Sequence, residues 1–352
     1  MNAAALGTPV ADAALERAAA ILRSGGLVAL PTETVYGLGA NALDREAVER
    51  IFAAKSRPAW DPVIVHIADA LMLDGLVEAI PESAQRLIDA FWPGPLTLLL
   101  SRTRAVPDVV TAGRPLVGVR MPSHPVALDL IRRSGVPVAA PSANRFGHIS
   151  PTTAAHVLRD LDGRIDAIVD AGPASYGVES TVLDPAQCPV MIYRPGAVTA
   201  EQIEHVAGAV KIYQADDALR HIPEEALPSP GVGIRHYAPK ARLVLVEAAG
   251  KDLGSCIAEA ACAEQGERLG IMLPAGIDVP PEIPGAQLYP WGNWDALQTL
   301  ARGLYAGLRA LDGDGCTVIL CPLPPAQGLG VAVRDRLRKA GTKKGEYGLG
   351  ER

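Results

Sequence analysis

The chain predicts an α/β protein in two parts, a mixed sheet with helices followed by a smaller α/β/α unit, and three observations lead there. Short apolar runs alternate with helical patterns from one end of the sequence to the other. Several of those runs stop on a proline followed by hydroxyl residues, as at Pro31-Thr32 and Pro141-Ser142, which puts polar loops along one rim of a sheet. Between two alternating regions lies a polar stretch marked by Pro223, Pro228, Pro230, Gly231 and Gly233, the composition of a linker. At 352 residues the chain exceeds one ordinary domain. The boundaries fall at 1–208 for the first domain, 209–240 for a linker or lid, and 241–352 for the second domain.

Leu15, Ala18, Ala19 and Leu22 give the segment Ala13 to Arg23 one apolar face, and Gly25-Gly26 stop that helix. Gly26 to Leu30 is a buried strand that Pro31 ends, since proline has no N–H to donate. A loop with Thr32, Thr34, Gly37 and Gly39 follows. Asp44 caps a helix over 44–54 with Ala47, Val48, Ile51 and Phe52 on one face. Val63 to Ile67 is a strand interrupted by one imidazole, His66. A single helix is predicted from Leu76 to Trp92, broken by Pro93-Gly94-Pro95. Leu96 to Leu100 and Val117 to Arg120 are strands, Pro125 to Ser134 a helix, and Val136 to Ala140 a strand ending on Pro141. Thr152 to Leu161 reads as helix, while 167–169, 180–183 and 192–194 read as extended. A capped helix from Thr199 to Val206 closes the first domain. In the second, strands at 243–246, 269–273 and 317–321 alternate with helices at 253–263, 294–311 and 331–340, a small doubly wound pattern.

Composition narrows the function. Hydrophobic residues at 49% supply ample core, and with aromatics at 4% that core is built of Ala, Val, Leu and Ile. A formal net charge of -6 argues against a broad nucleic-acid surface, so any cationic site is local. No apolar run approaches the roughly 20 residues of a membrane helix, and the N-terminus does not read as a signal peptide. The five cysteines show no C-x-x-C spacing and read as reduced thiols of a cytoplasmic protein. Gly328-Leu329-Gly330 lacks the third glycine of a dinucleotide fingerprint, and no P-loop, H-E-x-x-H or G-x-S-x-G occurs.

The candidate chemistry gathers at the strand exits. Lys55 and Arg57 follow a helix, where the dipole favours cations, and a K-x-R alone reads equally as a solvated helix end. Between hydroxyl- and imidazole-bearing strand exits, the pair suits an anion site. Ammonium and guanidinium groups offset the repulsion when one anion attacks another. Arg120, in an apolar strand, either faces solvent at an edge or pairs with an anion. His66 alone reads as a hydrogen-bonded core residue. Thr34, Ser142, Ser150 and Ser180 taken singly read as turn or cap residues, and Ser150 before Pro151-Thr152-Thr153 as a helix cap.

Pro31-Thr32-Glu33-Thr34-Val35-Tyr36-Gly37-Leu38 is followed by Lys55-Ser56-Arg57-Pro58 and Val63-Ile64-Val65-His66. Then come Val117-Gly118-Val119-Arg120-Met121-Pro122, Ala140-Pro141-Ser142-Ala143-Asn144, Glu179-Ser180-Thr181-Val182 and Arg194-Pro195-Gly196. In these motifs and their order the first two hundred residues resemble the YrdC-like family, and the later chain resembles the extra domain of its long form, threonylcarbamoyl-AMP synthase. The resemblance implies a YrdC-like twisted open mixed sheet followed by a smaller Rossmann-like domain. It implies a nucleotidyltransferase that joins L-threonine, bicarbonate or CO2, and ATP into L-threonylcarbamoyl-AMP, releasing pyrophosphate, with Mg2+ neutralising charge. The product would go to a separate tRNA threonylcarbamoyl transferase that modifies the adenosine beside the anticodon. The resemblance places threonine contacts at Thr34, His66, Arg120, Ala140 and Ser180, with Arg120 on the carboxylate. It places nucleotide contacts at Lys55, Arg57, Asp61, Ser142, Asn144, Ser150 and Arg194, with Tyr237 folding over the ATP from the linker. No side chain stands out as a covalent or acid–base catalyst, so catalysis would rest on positioning and electrostatics.

Two positions depart from the family's pattern. Asp61 stands where members often have Asn, and an anion there repels phosphate unless Mg2+ intervenes. Leu116 stands where some carry a threonine that meets the nucleotide. Two other readings stay open: a non-enzymatic RNA-binding module using the same cationic hollow, and a carbamoyl-adenylating enzyme with another acceptor. The acidic balance and few aromatics weigh against the first, and the absence of zinc-finger cysteines against the second. Neither a membrane nor more than weak direct tRNA binding is expected.

Overall fold

A computed structural model describes residues 1–3, 5–214, 229, 237–248, 252–264, 266–278, 283 and 285–341. The chain folds as two units, Met1–Phe146 with Ser150–Ile234, and Gly147–Ile149 with Arg235–Arg352.

In the first unit, helix α1 (Pro9–Arg23) starts at Thr8, whose hydroxyl accepts from the amide of Ala11, and buries Leu15, Ala18, Ala19 and Leu22. Strand β1 (Val28–Leu30) turns through the hydroxyl loop into an antiparallel partner, β2 (Gly37–Asn41). The sequence pattern suggests loop at β2, because Gly-Leu-Gly-Ala lacks the branched residues typical of strands. Packing explains the strand: a Cβ at position 39 would lie 2.8 Å from both Leu30 Cδ2 and Val138 Cγ1. Helix α2 (Arg45–Lys55) is capped by Asp44, which accepts from the amides of Glu46 and Ala47. It ends at Ser56, held left-handed at φ 54°.

After β3 (Ile64–His66) and a short helix, α3 (Ala70–Asp74), the helix expected over 76–92 begins only at Glu82, as α4 (Glu82–Phe91). Pro81 is the cause, since it disfavours helical backbone at Ile80 and itself opens α4. Next come β4 (Leu96–Ser101), α5 (Asp108–Thr111), β5 (Leu116–Arg120), α6 (Pro125–Ser134) and β6 (Val138–Ala139). Then follow α7 (Ala154–Leu161), β7 (Ala167–Ile168), β8 (Thr181–Asp184), β9 (Val190–Arg194) and α8 (Ala200–Ala207). The first residues of the linker expected over 209–240 are strand instead. Val210–Ile212 form β10, which pairs parallel with β9 and gives its backbone groups a partner. Residues 215–228 and 230–236 of that expected linker lie outside the described residues.

The first unit's sheet runs β10-β9-β8-β4-β5-β3-β6-β2-β1-β7 and mixes parallel pairs, such as β3–β5, with antiparallel ones, such as β4–β5. Its apolar side chains form one buried cluster around Val48, Ile51, Leu98 and Val119 and another around Leu15, Leu22, Leu130 and Val138. Each such side chain contributes about 1.5–3 kcal/mol through burial.

The second unit contains β11 (Arg242–Val246), α9 (Leu253–Cys262), β12 (Leu269–Ala275), β13 (Gln287–Asn293), α10 (Leu297–Gly313), β14 (Val318–Pro322) and α11 (Leu329–Ala340). Its four strands are all parallel, in the order β11-β14-β12-β13. Strand β13 has no counterpart in the sequence expectation, because its Pro290 argues against a strand. It lies at the sheet's edge, where one side of the backbone needs no partner strand. Cys188 in the first unit and Cys262 in the second are exposed, while Cys256, Cys316 and Cys321 are buried. Among the described residues no helix is long and apolar enough to cross a membrane.

Candidate functional site

Parallel pairing sets His66 at the end of β3 opposite Arg120 at the end of β5, and the loop after β1 meets them. Arg120 is buried. Its Nε donates to Gly94 O at 3.2 Å, Nη1 to Thr34 Oγ1 at 3.0 Å and Nη2 to Glu33 Oε1 at 2.5 Å. A guanidinium has five N–H groups, so two remain. Of the two openings left by the sequence, solvent or an anion, the fold takes the anion and supplies it from Glu33. Burial alone would raise the Glu33 carboxyl, but the charge and hydrogen bond of Arg120 hold it below its ordinary value. Among the described residues, Glu33 Oε2 and His66 Nδ1 have no hydrogen-bond partner. Burial, and then the charge of Arg120, push the His66 pKa down to about 3, so the ring is neutral at pH 7. Thr34 Oγ1 also shares a hydrogen bond with Thr32 Oγ1 at 2.8 Å. Ala140, at the exit of β6, donates its amide to Ile64 O at 2.8 Å and packs so close to Gly37 that a Cβ there would lie 3.2 Å from Ala140 Cβ.

A second cluster forms where α2 ends. Lys55 is buried, and its Nζ donates to the backbone carbonyls of Ser142, at 2.5 Å, and Asn144. It therefore staples the loop after β6, a duty beyond the nucleotide contact expected of its ammonium from the sequence. Burial, and then the neighbouring Arg57 charge, hold its pKa well below the lysine range. Arg57 Nη2 lies 2.9 Å from Asp61 Oδ2 and donates to Pro62 O at 2.7 Å, while Nε donates to Asp61 O at 3.1 Å. Asp61 is thus the ion-pair partner of Arg57. Burial pushes its carboxyl up, against the pull of Arg57, Lys55 and Arg194, and its Oδ1 has no hydrogen-bond partner among the described residues. Trp60 meets Phe146 edge to face, with centroids 6.0 Å apart, which ties the turn carrying Arg57 to the loop carrying Asn144. Asn144 Nδ2 donates to Arg145 O at 2.8 Å.

A third group lines the start of β8. Ser180 Oγ shares a 2.8 Å hydrogen bond with Thr97 Oγ1 and accepts from Arg194 Nη2 at 3.0 Å. Arg194 Nε also donates to Ser180 O at 3.1 Å. Ser150 does not cap a helix; its hydroxyl donates to Glu179 Oε1 at 2.6 Å, and Thr153 caps α7 instead. The chain order joins these groups: Glu179 precedes Ser180, and Ser142 bridges to Gly37 beside the hydroxyl loop. Tyr237 belongs to the second unit, where its ring stacks on Tyr305 at 5.8 Å beneath the Arg336 guanidinium. Leu116 packs against the apolar cluster of Ile64, Leu99 and Val182.

Motif reasoning overlooks the acidic members, Glu33 and Glu179. The available signal is a carboxylate inside a run of buried residues at a strand's exit, which demands a partner. Among the described residues no group of three or more His, Cys, Asp and Glu could hold a metal ion.

Two family descriptions match the chain: "Telomere recombination" over residues 20–196, and "Threonylcarbamoyl-AMP synthase, C-terminal domain" over 198–342. The chain is 45% identical to the threonylcarbamoyl-AMP synthase of Pyrococcus abyssi, over 92% of each. It is 44% identical to that of Bacillus subtilis, over 94% of this chain and 93% of the relative. Among solved structures, P. abyssi Sua5 complexed with L-threonine superimposes with a TM-score of 0.85 at 43% identity, covering 93% of each chain. A variant of P. abyssi Sua5 with two alanine substitutions superimposes with a TM-score of 0.87 at 41% identity, over 97% of this chain and 95% of that one. The chain therefore belongs to the Sua5–YciO–YrdC family, in the form that carries the threonylcarbamoyl-AMP synthase C-terminal domain.

Proposed function

We propose that the first unit makes L-threonylcarbamoyl-AMP from L-threonine, bicarbonate or CO2, and ATP, for the modification of tRNA beside the anticodon. The observation that carries this reading is the buried Arg120–Glu33 pair. It offers two N–H groups and a partnerless carboxylate oxygen side by side, complementary to the carboxylate and ammonium of an amino acid. Thr34, neutral His66, Ala140 and Ser180 complete the threonine pocket, and a neutral ring can hydrogen-bond the substrate without repelling its ammonium.

The amine, once deprotonated, adds to CO2 to give a carbamate. A carbamate oxygen then forms a bond to the α-phosphorus of ATP as the bond to pyrophosphate breaks, and the electron pair leaves with pyrophosphate. Arg57 and Arg194 offset the charge that accumulates, and Ser142, Asn144 and Ser150 orient the nucleotide on a loop that Lys55 holds in place. No side chain need bond to the substrate, so the rate comes from positioning and preorganised charge. Mg2+, carried by the phosphates, would supply further neutralisation, and Asp61 with its open Oδ1 suits a place beside it. The product passes to a separate transferase.

Protein given ATP, L-threonine and labelled bicarbonate should release pyrophosphate and form a labelled species with the mass of threonylcarbamoyl-AMP. Pyrophosphate release indifferent to L-threonine would count against the reading.

A further inference from the structure

The chain leaves the first unit after Phe146, lends Gly147–Ile149 to the second, and returns at Ser150. That excursion is built in. Ala238 donates its amide to Gly147 O at 2.9 Å, and His148 pairs with Ala238 as a parallel bridge. Buried Arg309, on α10, donates through Nη2 to the carbonyl of Ile149. One residue before the bridge, Tyr237 adopts a left-handed φ of 64° and lies stacked on Tyr305 under Arg336. On either side of the excursion the chain is pinned to the first unit. Phe146 donates its amide to Lys55 O at 2.9 Å, and Ser150 donates to Glu179.

We infer that Arg309 is a positioning residue for the nucleotide side of the site. By fixing the Ile149 carbonyl it sets the backbone from which Ser150 hangs, and the bridge to Ala238 does the same for the stretch after Asn144. Arg309 and the Ala238 bridge thereby fix Gly147–Ile149 within the second unit, and Ser150 follows that stretch by one peptide bond. This rests on the assignment of Ser150 to ATP under the proposed function. Burying a guanidinium is costly unless its donors are matched, so the carbonyl it meets is held in a defined place. Displacements near 1 Å at a binding group change rates severely.

The test compares Arg309→Met and Arg309→Lys with the parent chain. Arg309→Met should raise KM for ATP about tenfold while KM for L-threonine stays within about twofold. Arg309→Lys, which can still donate to the carbonyl, should recover part of the loss. Hydrogen exchange at 147–150 should speed up in Arg309→Met, with exchange in β3 and β5 unchanged. An ATP KM and exchange rates equal to the parent's overturn the inference. A parent chain that makes no product overturns the proposed function instead, and the exchange measurement still judges Arg309. Should Arg309→Met fail to fold, Tyr305→Leu, which loosens Tyr237 at the other end of the bridge, is read by the same two measurements.

Discussion

Arg120 and Glu33 define each other's charge, and that mutual dependence makes the proposed amino-acid side of the site testable one atom at a time. Glu33→Gln keeps the shape and the bond to Nη2 but removes the anion, and KM for L-threonine should rise about tenfold with KM for ATP unchanged. Equal loss for both substrates would mean that the pair holds the fold rather than the pocket. Arg57→Ala removes a preorganised donor and should lower kcat by about 10²–10³. His66 gives a pH signature. Its folded pKa is depressed to about 3 from 6.5, so the unfolded chain binds the extra proton between those values. The neutral ring's contribution is present above pH 6.5 and is lost as pH falls, about 2 kcal/mol by pH 5. Chemical denaturation at pH 7 and pH 5 should show this loss, and His66→Asn should flatten it.

At the scale of elements, the sharp turns carry the site and were the least legible in the sequence. Ser56 holds a left-handed backbone at φ 54° where glycine would be relaxed. Ser56→Gly should leave stability unchanged or raise it by up to about 1 kcal/mol, and a loss above that would show that the hydroxyl is needed. Gly196 is the opposite case: a Cβ there would stand 2.4 Å from the backbone of Ser180 and Thr181. Gly196→Ala should cost about 1–3 kcal/mol and disturb Ser180 together with Arg194, visible as a lowered thermal midpoint. Apolar periodicity and caps exposed α1, α2 and α6 because those helices bury one face. The same logic could not find β2 or β13. Their pairing depends on Val138 and Leu30 in one case and on an edge position in the other, facts of tertiary packing. In the site, the cations and hydroxyls were legible as motifs. Their partners were not: Lys55 to the Ser142 carbonyl and Ser150 to Glu179 are contacts 87 and 29 residues apart in the chain.

For the molecule as a whole, the net charge of -6 sets the expectation for polyanions. Single-stranded RNA should bind no more tightly than a dissociation constant of about 10⁻⁴–10⁻⁶ M at physiological salt, with or without ATP. Tighter capture in a filter-binding titration would revive the RNA-binding reading. The two-part organisation was legible because the strand–helix alternation restarts after a proline-rich stretch. The loan of Gly147–Ile149 to the second unit was not, because three residues carry no periodicity. The distribution of sulfur has a practical corollary. Cys188 and Cys262 face solvent, one in each unit, while the other three thiols are shielded. Maleimide fluorophores should therefore load as a donor–acceptor couple on the unaltered polypeptide, and energy transfer between them would report inter-unit distance as ATP and L-threonine are added.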